Sequence, residues 1–185
     1  MYSRTKRSYV LLLLAVMGLF LSACSNSSTN AAPTEIRKPD WFGFLLTDAR
    51  TGETFTIDDY AGKVVLLETM AMWCPNCTVQ AHEVRRLHEL LGNPDDLVSV
   101  SLDVDLNEDQ VSLKKYVEEF GFEWHFVVAP LEVARALGNL YTAQYLNPPL
   151  SPMMIIDRDG NVHHLEYGLK KAETLKEKVK PYLNP

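Results

Sequence analysis

Two cysteines stand where a predicted strand ends and a predicted helix begins, in the segment WCPNC at residues 73–77. Residues 64–67 are four consecutive apolar residues, a pattern typical of a strand buried on both faces. From residue 79 to residue 91, apolar side chains recur at helical spacing until Gly-Asn-Pro at 92–94 ends the pattern. A helix N-terminus stabilises a thiolate, because it has unpaired N–H groups and the positive end of the peptide dipoles. The arrangement therefore predicts a reactive pair, Cys74 and Cys77.

A zinc site is the first alternative for these cysteines, and its four ligands would be Cys74, Cys77, His82 and His88. Helical residues advance by about 100° each, so the last three of these would point to different sides of one helix. The sequence has no second CxxC motif to complete such a site. Redox chemistry is therefore favoured over zinc binding, and also over two cysteines that only pack.

The first 23 residues have the pattern of a lipoprotein signal peptide. Three basic residues in the first seven positions precede an apolar run at residues 10–21, which is shorter than the roughly 20 residues of a transmembrane helix. The run ends in LSAC at residues 21–24, which resembles the lipobox of bacterial lipoproteins, where cleavage precedes the cysteine and a lipid is attached to it. We expect Cys24 to carry acyl chains that anchor an exported protein on the extracytoplasmic side of the cell envelope, such as the periplasm. Cleavage near residues 31–32, which would discard Cys24, is the alternative.

Cleavage before Cys24 leaves 162 of the 185 residues, the size of one domain, and changes the formal net charge from −6 to −9. An acidic chain without a basic or Gly-rich stretch is not expected to bind nucleic acid. Residues 24–39 are rich in Ser, Thr, Asn, Ala and Pro, which predicts a flexible tether. Residues 40–185 are predicted to form the folded domain.

Strand and helix patterns alternate along this domain. Strands are predicted at residues 44–47, 54–57, 64–67, 97–102, 126–128, 151–156 and 162–167, and helices at 79–91, 108–120, 131–137 and 171–183. Residues 141–150 are predicted to be irregular, because they contain two consecutive prolines. This order predicts an α/β fold with a central mixed sheet flanked by helices and an N-terminal hairpin extension.

The motif WCPNC after GKVVLL at residues 62–67, with Ser151-Pro152 before IIDRDG at residues 155–160, resembles the thioredoxin-like fold. More narrowly, it resembles the membrane-tethered TlpA/ResA-type thiol–disulfide oxidoreductases, over residues 40 to 183. The resemblance implies a redox-active disulfide between Cys74 and Cys77 and no cofactor besides this pair. Cys74 matches the exposed nucleophile of the family, and Cys77 matches the resolving cysteine.

The resemblance also implies a substrate-binding surface around the cysteines. Pro152 matches the cis-proline whose loop faces the disulfide and binds the substrate backbone, and Ser151 precedes it. Trp73 and Pro75 flank Cys74 and are the other two predicted substrate-binding residues. A trans proline that enters a strand is the alternative for Pro152.

Glu68 lies six residues before Cys74, where thioredoxins carry a buried acid that shuttles a proton for the second cysteine. Because it shares strand parity with Val64 and Leu66, we expect it to face packed side chains. Its pKa would then be raised, and it could accept a proton from Cys77. The alternative is a solvated carboxylate without a role, and TlpA/ResA-type chains commonly have Asn at this position.

The implied reaction is thiol exchange with an exported protein disulfide, in which Cys74 attacks as a thiolate and Cys77 releases the reduced substrate. Pro75 and Asn76 add no charge beside the thiolate, which favours a reductant over an oxidant. A membrane thiol electron donor is implied by the family. The mechanism requires that Cys74 can be reached from solvent and that Pro152 lies near the pair.

Two other activities of the same fold are alternatives. A thiol peroxidase needs Thr or Ser three residues before its cysteine and a Pro further upstream, where this chain has Ala71 and Leu67. A copper-delivery module could hold Cu(I) with two thiolates. Such modules usually have CxxxC and a distant histidine ligand, for which this chain offers His125, His163 and His164.

Overall fold

The computed structural model describes residues 38–183. The predicted signal peptide at residues 1–23, the predicted lipidation site Cys24 and nearly all of the predicted tether at 24–39 lie outside the described residues. Within residues 38–183, no helix combines the length and the apolar character needed to cross a bilayer.

A five-stranded mixed sheet forms the centre of the domain, in the order β5-β4-β3-β6-β7. Its strands are β3 (Val64–Met70), β4 (Leu97–Asp103), β5 (His125–Val128), β6 (Met153–Ile156) and β7 (Val162–His164). β4 runs parallel to both β3 and β5, whereas β6 runs antiparallel to both β3 and β7. The central strand β3 continues to Met70, beyond the predicted residues 64–67, and all seven of its residues are buried. The mixed sheet confirms the predicted fold class.

Four helices pack on this sheet: α1 (Pro75–Leu91), α2 (Gln110–Phe120), α3 (Leu131–Leu140) and α4 (Ala172–Leu183). α1 begins at a proline, whose missing N–H costs nothing in the first turn, and ends at Gly92 in the left-handed region, with φ of 74°. The predicted end of α3 at Gly138 is wrong, because the helix continues to Leu140. Gly138 instead allows close packing within the domain, because a Cβ at this position would lie only 3.0 Å from the side chain of Leu146.

The predicted N-terminal hairpin is present as a separate two-stranded sheet of β1 (Leu46–Thr47) and β2 (Thr54–Phe55). Asp48 organises the turn by accepting hydrogen bonds from the backbone N–H groups of Arg50 and Thr51. Its second oxygen lies 2.6 Å from Nδ1 of His125, which ties the hairpin to β5.

The alternation of side chains along β3 divides the interior into two layers. Val64, Leu66 and Met70 face the layer that contains both cysteines, whereas Val65 and Leu67 face the opposite layer. The segment predicted to be irregular contains two 3₁₀ turns, Ala143–Leu146 and Pro148–Leu150. The second of these turns packs on the start of α1 and is called the covering turn below.

Candidate active site

The two cysteines occupy the first turn of α1, directly after the central strand. Cys74 is the N-cap residue, Pro75 is the first helical residue, and the N–H of Cys77 donates to the carbonyl of Cys74 at 3.0 Å. Both are free thiols in this structure. The pKa of Cys77 is raised well above its ordinary value, chiefly by burial and then by the neighbouring Cys74 thiol. A strong base or a change of surroundings is needed before Cys77 can attack.

The prediction of an exposed nucleophile is wrong for this structure, because Cys74 is 1% exposed and Cys77 is 2% exposed. The covering turn is hydrogen-bonded to the cysteine helix. Asn76 Nδ2 donates to the carbonyl of Pro149 at 3.1 Å, and the Cys77 thiol donates to the carbonyl of Pro148 at 3.5 Å. The reaction of Cys74 with a substrate therefore requires a local movement that exposes its sulfur, and we expect the covering turn, bonded to Asn76 and Cys77, to take part in it.

The prediction of a cis bond at Pro152 is also wrong, because every peptide bond in the described chain is trans. The chain turns at Ser151 instead, whose φ of 47° lies in the left-handed region. Pro152 then enters β6, and its carbonyl accepts the N–H of Thr69 at 3.1 Å. Ser151 is buried, and its hydroxyl oxygen has no hydrogen-bond partner.

The two predicted substrate-binding residues beside Cys74 both reach the surface. Pro75 is exposed and Trp73 is 57% exposed. The Trp73 indole N–H donates to Oδ2 of Asp105 at 2.6 Å, which fixes the orientation of the ring. A second acid of the same loop, Glu108, accepts the backbone N–H of Met72 at 2.8 Å. An acidic loop therefore holds the residues that lead to Cys74.

Glu68 is 4% exposed, and it faces the cysteine layer as its strand parity predicts. Burial raises its pKa to about 7, although the hydrogen bond from Ser101 and the charge of Lys170 oppose the rise. The Ser101 hydroxyl donates to Oε1 of Glu68 at 2.5 Å and accepts the indole N–H of Trp124 at 2.9 Å. Because an indole N–H can only donate, Trp124 directs the Ser101 proton towards Glu68.

Sequence reasoning missed Ser101 and Lys170 as neighbours of Glu68. Ser101 is a polar residue within the predicted strand at 97–102, and it lies directly beside Glu68 in the parallel pairing. That position was a usable signal. Lys170 gave none, because it is followed by Lys171 and the pair is typical of a solvated surface, whereas Lys170 is 8% exposed.

The histidines of the alternative metal sites have other partners. His82 packs on Phe122, and His88 is hydrogen-bonded to Ser99 at 2.9 Å. His125 is hydrogen-bonded to Asp48, and His163 to Asp157 at 2.7 Å. His164 lies 2.7 Å from the Tyr145 hydroxyl. Among residues 38–183, no three His, Cys, Asp or Glu side chains are grouped as metal ligands.

Comparison with known proteins identifies the family. The model of the Redoxin family matches residues 26–181. This chain belongs to the Redoxin family. Two curated relatives of this Redoxin chain are named thiol-disulfide oxidoreductase ResA. The one from Geobacillus kaustophilus is 25% identical and covers 95% of each chain, and the one from Geobacillus thermodenitrificans is 27% identical and covers 93% of this chain and 92% of the relative.

A solved structure supports the fold of the Redoxin chain. The thiol:disulfide interchange protein of the thioredoxin family from Chlorobium tepidum superimposes with a TM-score of 0.63 and 20% identity. The match covers 80% of this chain and 98% of that chain. The thioredoxin-like fold and the resemblance to ResA-type thiol–disulfide oxidoreductases are thereby confirmed.

Proposed function

We propose that this protein is an extracytoplasmic thiol–disulfide oxidoreductase that reduces disulfides of exported proteins through Cys74 and Cys77. The observation that carries the proposal is a CxxC pair in the first turn of a helix, in the same buried layer as an acid with a pKa of about 7. The ResA relatives, aligned over nearly the whole chain, support the same chemistry.

The first step is attack by the Cys74 thiolate on one sulfur of the substrate disulfide. The S–S bond of the substrate breaks, a mixed disulfide with Cys74 forms, and the leaving sulfur departs as a thiolate that takes up a proton. We expect the covering turn to move for this step, because Cys74 is buried and the turn is hydrogen-bonded to the residues two and three positions after it. The exposed ring of Trp73 offers the substrate a contact beside the opening.

The second step resolves the mixed disulfide. Cys77 gives its proton to Glu68 and attacks the sulfur of Cys74, which forms the Cys74–Cys77 disulfide and releases the second substrate thiolate. The substrate gains two electrons and the protein loses them. An acid with a pKa of about 7 suits this role, because near neutral pH it can both accept a proton and release it.

Direction and location rest on the sequence. Pro75 and Asn76 add no charge that would stabilise the reduced pair strongly, which supports a reductase that a membrane thiol donor recharges. The predicted signal peptide and the lipid anchor at Cys24 support an extracytoplasmic site of action on exported proteins.

Exchange and trapping assays test this function. The purified wild-type protein should accelerate insulin reduction by dithiothreitol, and Cys74→Ser should abolish the acceleration. In cells, the Cys77→Ser variant should accumulate mixed disulfides between Cys74 and substrate proteins, because Cys74 still attacks but resolution is blocked. Dithiothreitol should reduce these mixed disulfides. The double variant with Cys74→Ser is the matched control and should accumulate none. A wild-type protein without insulin activity, or adducts that persist in the double variant, would contradict the proposal.

A further inference from the structure

Lys170 is a buried lysine in the loop between β7 and α4. Its ammonium donates to the carbonyl of Ser151 at 2.9 Å and to the carbonyl of Gly168 at 2.6 Å. A buried ammonium loses its hydration, and two carbonyls replace only part of it. Burial accordingly lowers the pKa of Lys170 to about 8, against the opposing charges of Glu68 and Glu166.

The cysteine helix holds the backbone of Lys170 in place. Gln80, one helical turn after Cys77, accepts the N–H of Lys170 at 2.8 Å and donates to its carbonyl at 3.0 Å. This paired amide contact is buried at both residues. The main chain of Lys170 is therefore fixed relative to the cysteines, and the side chain extends from it to the start of β6.

Ser151 links this ammonium to the covering turn. Its carbonyl accepts from Lys170, and its own N–H donates to the carbonyl of Pro148 at 2.8 Å. Pro148 is also the residue whose carbonyl accepts from the Cys77 thiol. A chain of hydrogen bonds thus runs from the Lys170 ammonium to the second cysteine.

Five ionisable groups interact in and around this part of the buried layer. Burial raises the pKa of the Cys77 thiol on α1 and of the Tyr116 phenol on α2, and the charge of Glu68 on β3 adds to both rises. Lys170 is the cation that interacts with Glu68, and Glu166 in its own loop is the second acid that interacts with Lys170. Ionised Glu68 is disfavoured by burial and favoured by the Lys170 charge.

We propose that Lys170 is a positioning residue for thiol exchange, whose buried ammonium holds the Ser151 carbonyl beside the covering turn and acts on Glu68 by its charge. The inference rests on the proposed function, because it acts through the acid that accepts the Cys77 proton. A lysine that served only to cap a loop would stabilise the fold and leave the titration of Glu68 unchanged.

The test is an NMR titration of Glu68 in the reduced protein, with the carboxyl signal assigned by its loss in Glu68→Gln. An opposite charge nearby lowers a carboxyl pKa by about 1 to 3 units, so Lys170→Met should raise the pKa of Glu68 by about one unit. Lys170→Arg keeps the charge and should restore most of the wild-type value. Lys171→Met removes an exposed neighbouring charge and is the matched control, with no change expected.

Lys170→Gln provides a second uncharged variant that can still donate to a carbonyl, in case the methionine variant does not fold. An unchanged Glu68 pKa in a folded uncharged variant would overturn the proposal. The titration needs no catalytic turnover, so its result is independent of whether the protein reduces insulin. In kinetics, the uncharged variants should shift the pH dependence of the resolution step to higher pH. In a protein that already carries Glu68→Gln, Lys170→Met should leave the pH dependence of the resolution step unchanged. A shift as large as in the wild-type background would also overturn the proposal.

Discussion

Replacement of Glu68 by glutamine should stabilise the reduced protein above pH 7. The pKa of Glu68 is raised from 4.5 to about 7, chiefly by burial. Between these two pH values the folded protein binds a proton that the unfolded chain has already lost. The free energy of unfolding therefore falls as the pH rises from about 4.5 to about 7. Glutamine resembles the protonated acid at every pH and can still accept from the Ser101 hydroxyl.

The size of the effect follows from the two pKa values. One pH unit corresponds to about 1.4 kcal/mol, so the interval from 4.5 to about 7 corresponds to about 3 kcal/mol. We expect similar stabilities for the wild type and Glu68→Gln at pH 4. The variant should become more stable with rising pH, and the difference should level off at about 3 kcal/mol above pH 7.

Urea unfolding of the reduced protein from pH 4 to pH 8.5 measures this difference. Asp103 also contributes to the wild-type slope, because burial and the neighbouring acid Glu108 raise its pKa to about 8. That contribution cancels when Glu68→Gln is compared with the wild type, and Asp103→Asn provides a control for it. A Glu68→Gln variant that is no more stable than the wild type at pH 8 would refute burial as the main cause of the raised pKa.

Two further substitutions test the surroundings of the cysteines. Ser101→Ala removes the hydroxyl that donates to Glu68, so the pKa of Glu68 should rise by about one unit in an NMR titration. It should also cost about 1 to 3 kcal/mol in urea unfolding, because a buried indole N–H loses its acceptor. Asn76→Ala removes a hydrogen bond to the covering turn worth about 0.5 to 1.5 kcal/mol, so iodoacetamide should alkylate Cys74 about 3-fold to 10-fold faster. An unchanged alkylation rate would show that this bond does not limit access.

Much of the fold could be predicted because its signals are local. Four apolar residues at 64–67, a cysteine motif and a helical pattern in succession indicated a strand followed by a helix at the site. The parity of Glu68 with Val64 and Leu66 indicated which layer it faces. The end of α3 was predicted incorrectly, because a glycine often ends a helix. Gly138 instead lies within α3 and allows the close approach of Leu146.

The surroundings of the cysteines could not be predicted, because they depend on contacts between distant parts of the chain. Asn76 and Pro149 are 73 positions apart, and Gln80 and Lys170 are 90 positions apart. No pattern near Cys74 indicates that a turn at residues 148–150 will bond to the first turn of the cysteine helix. The resemblance supplied a cis bond at Pro152, but the left-handed conformation of Ser151 provides the change of direction with a trans bond.

In the proposed mechanism, access to Cys74 and proton transfer from Cys77 are connected through the contacts of the covering turn. In the proposed mechanism the covering turn leaves the cysteine helix to admit a substrate, and the Pro148 carbonyl of this turn accepts from the Cys77 thiol. When the turn moves, Cys77 loses that acceptor, while Glu68 remains fixed on the central strand of the sheet. The opening that admits the substrate thus removes a partner that holds the resolving thiol in its protonated form. In the proposed mechanism, the hydrogen bonds of the covering turn therefore favour attack by Cys74 before resolution by Cys77.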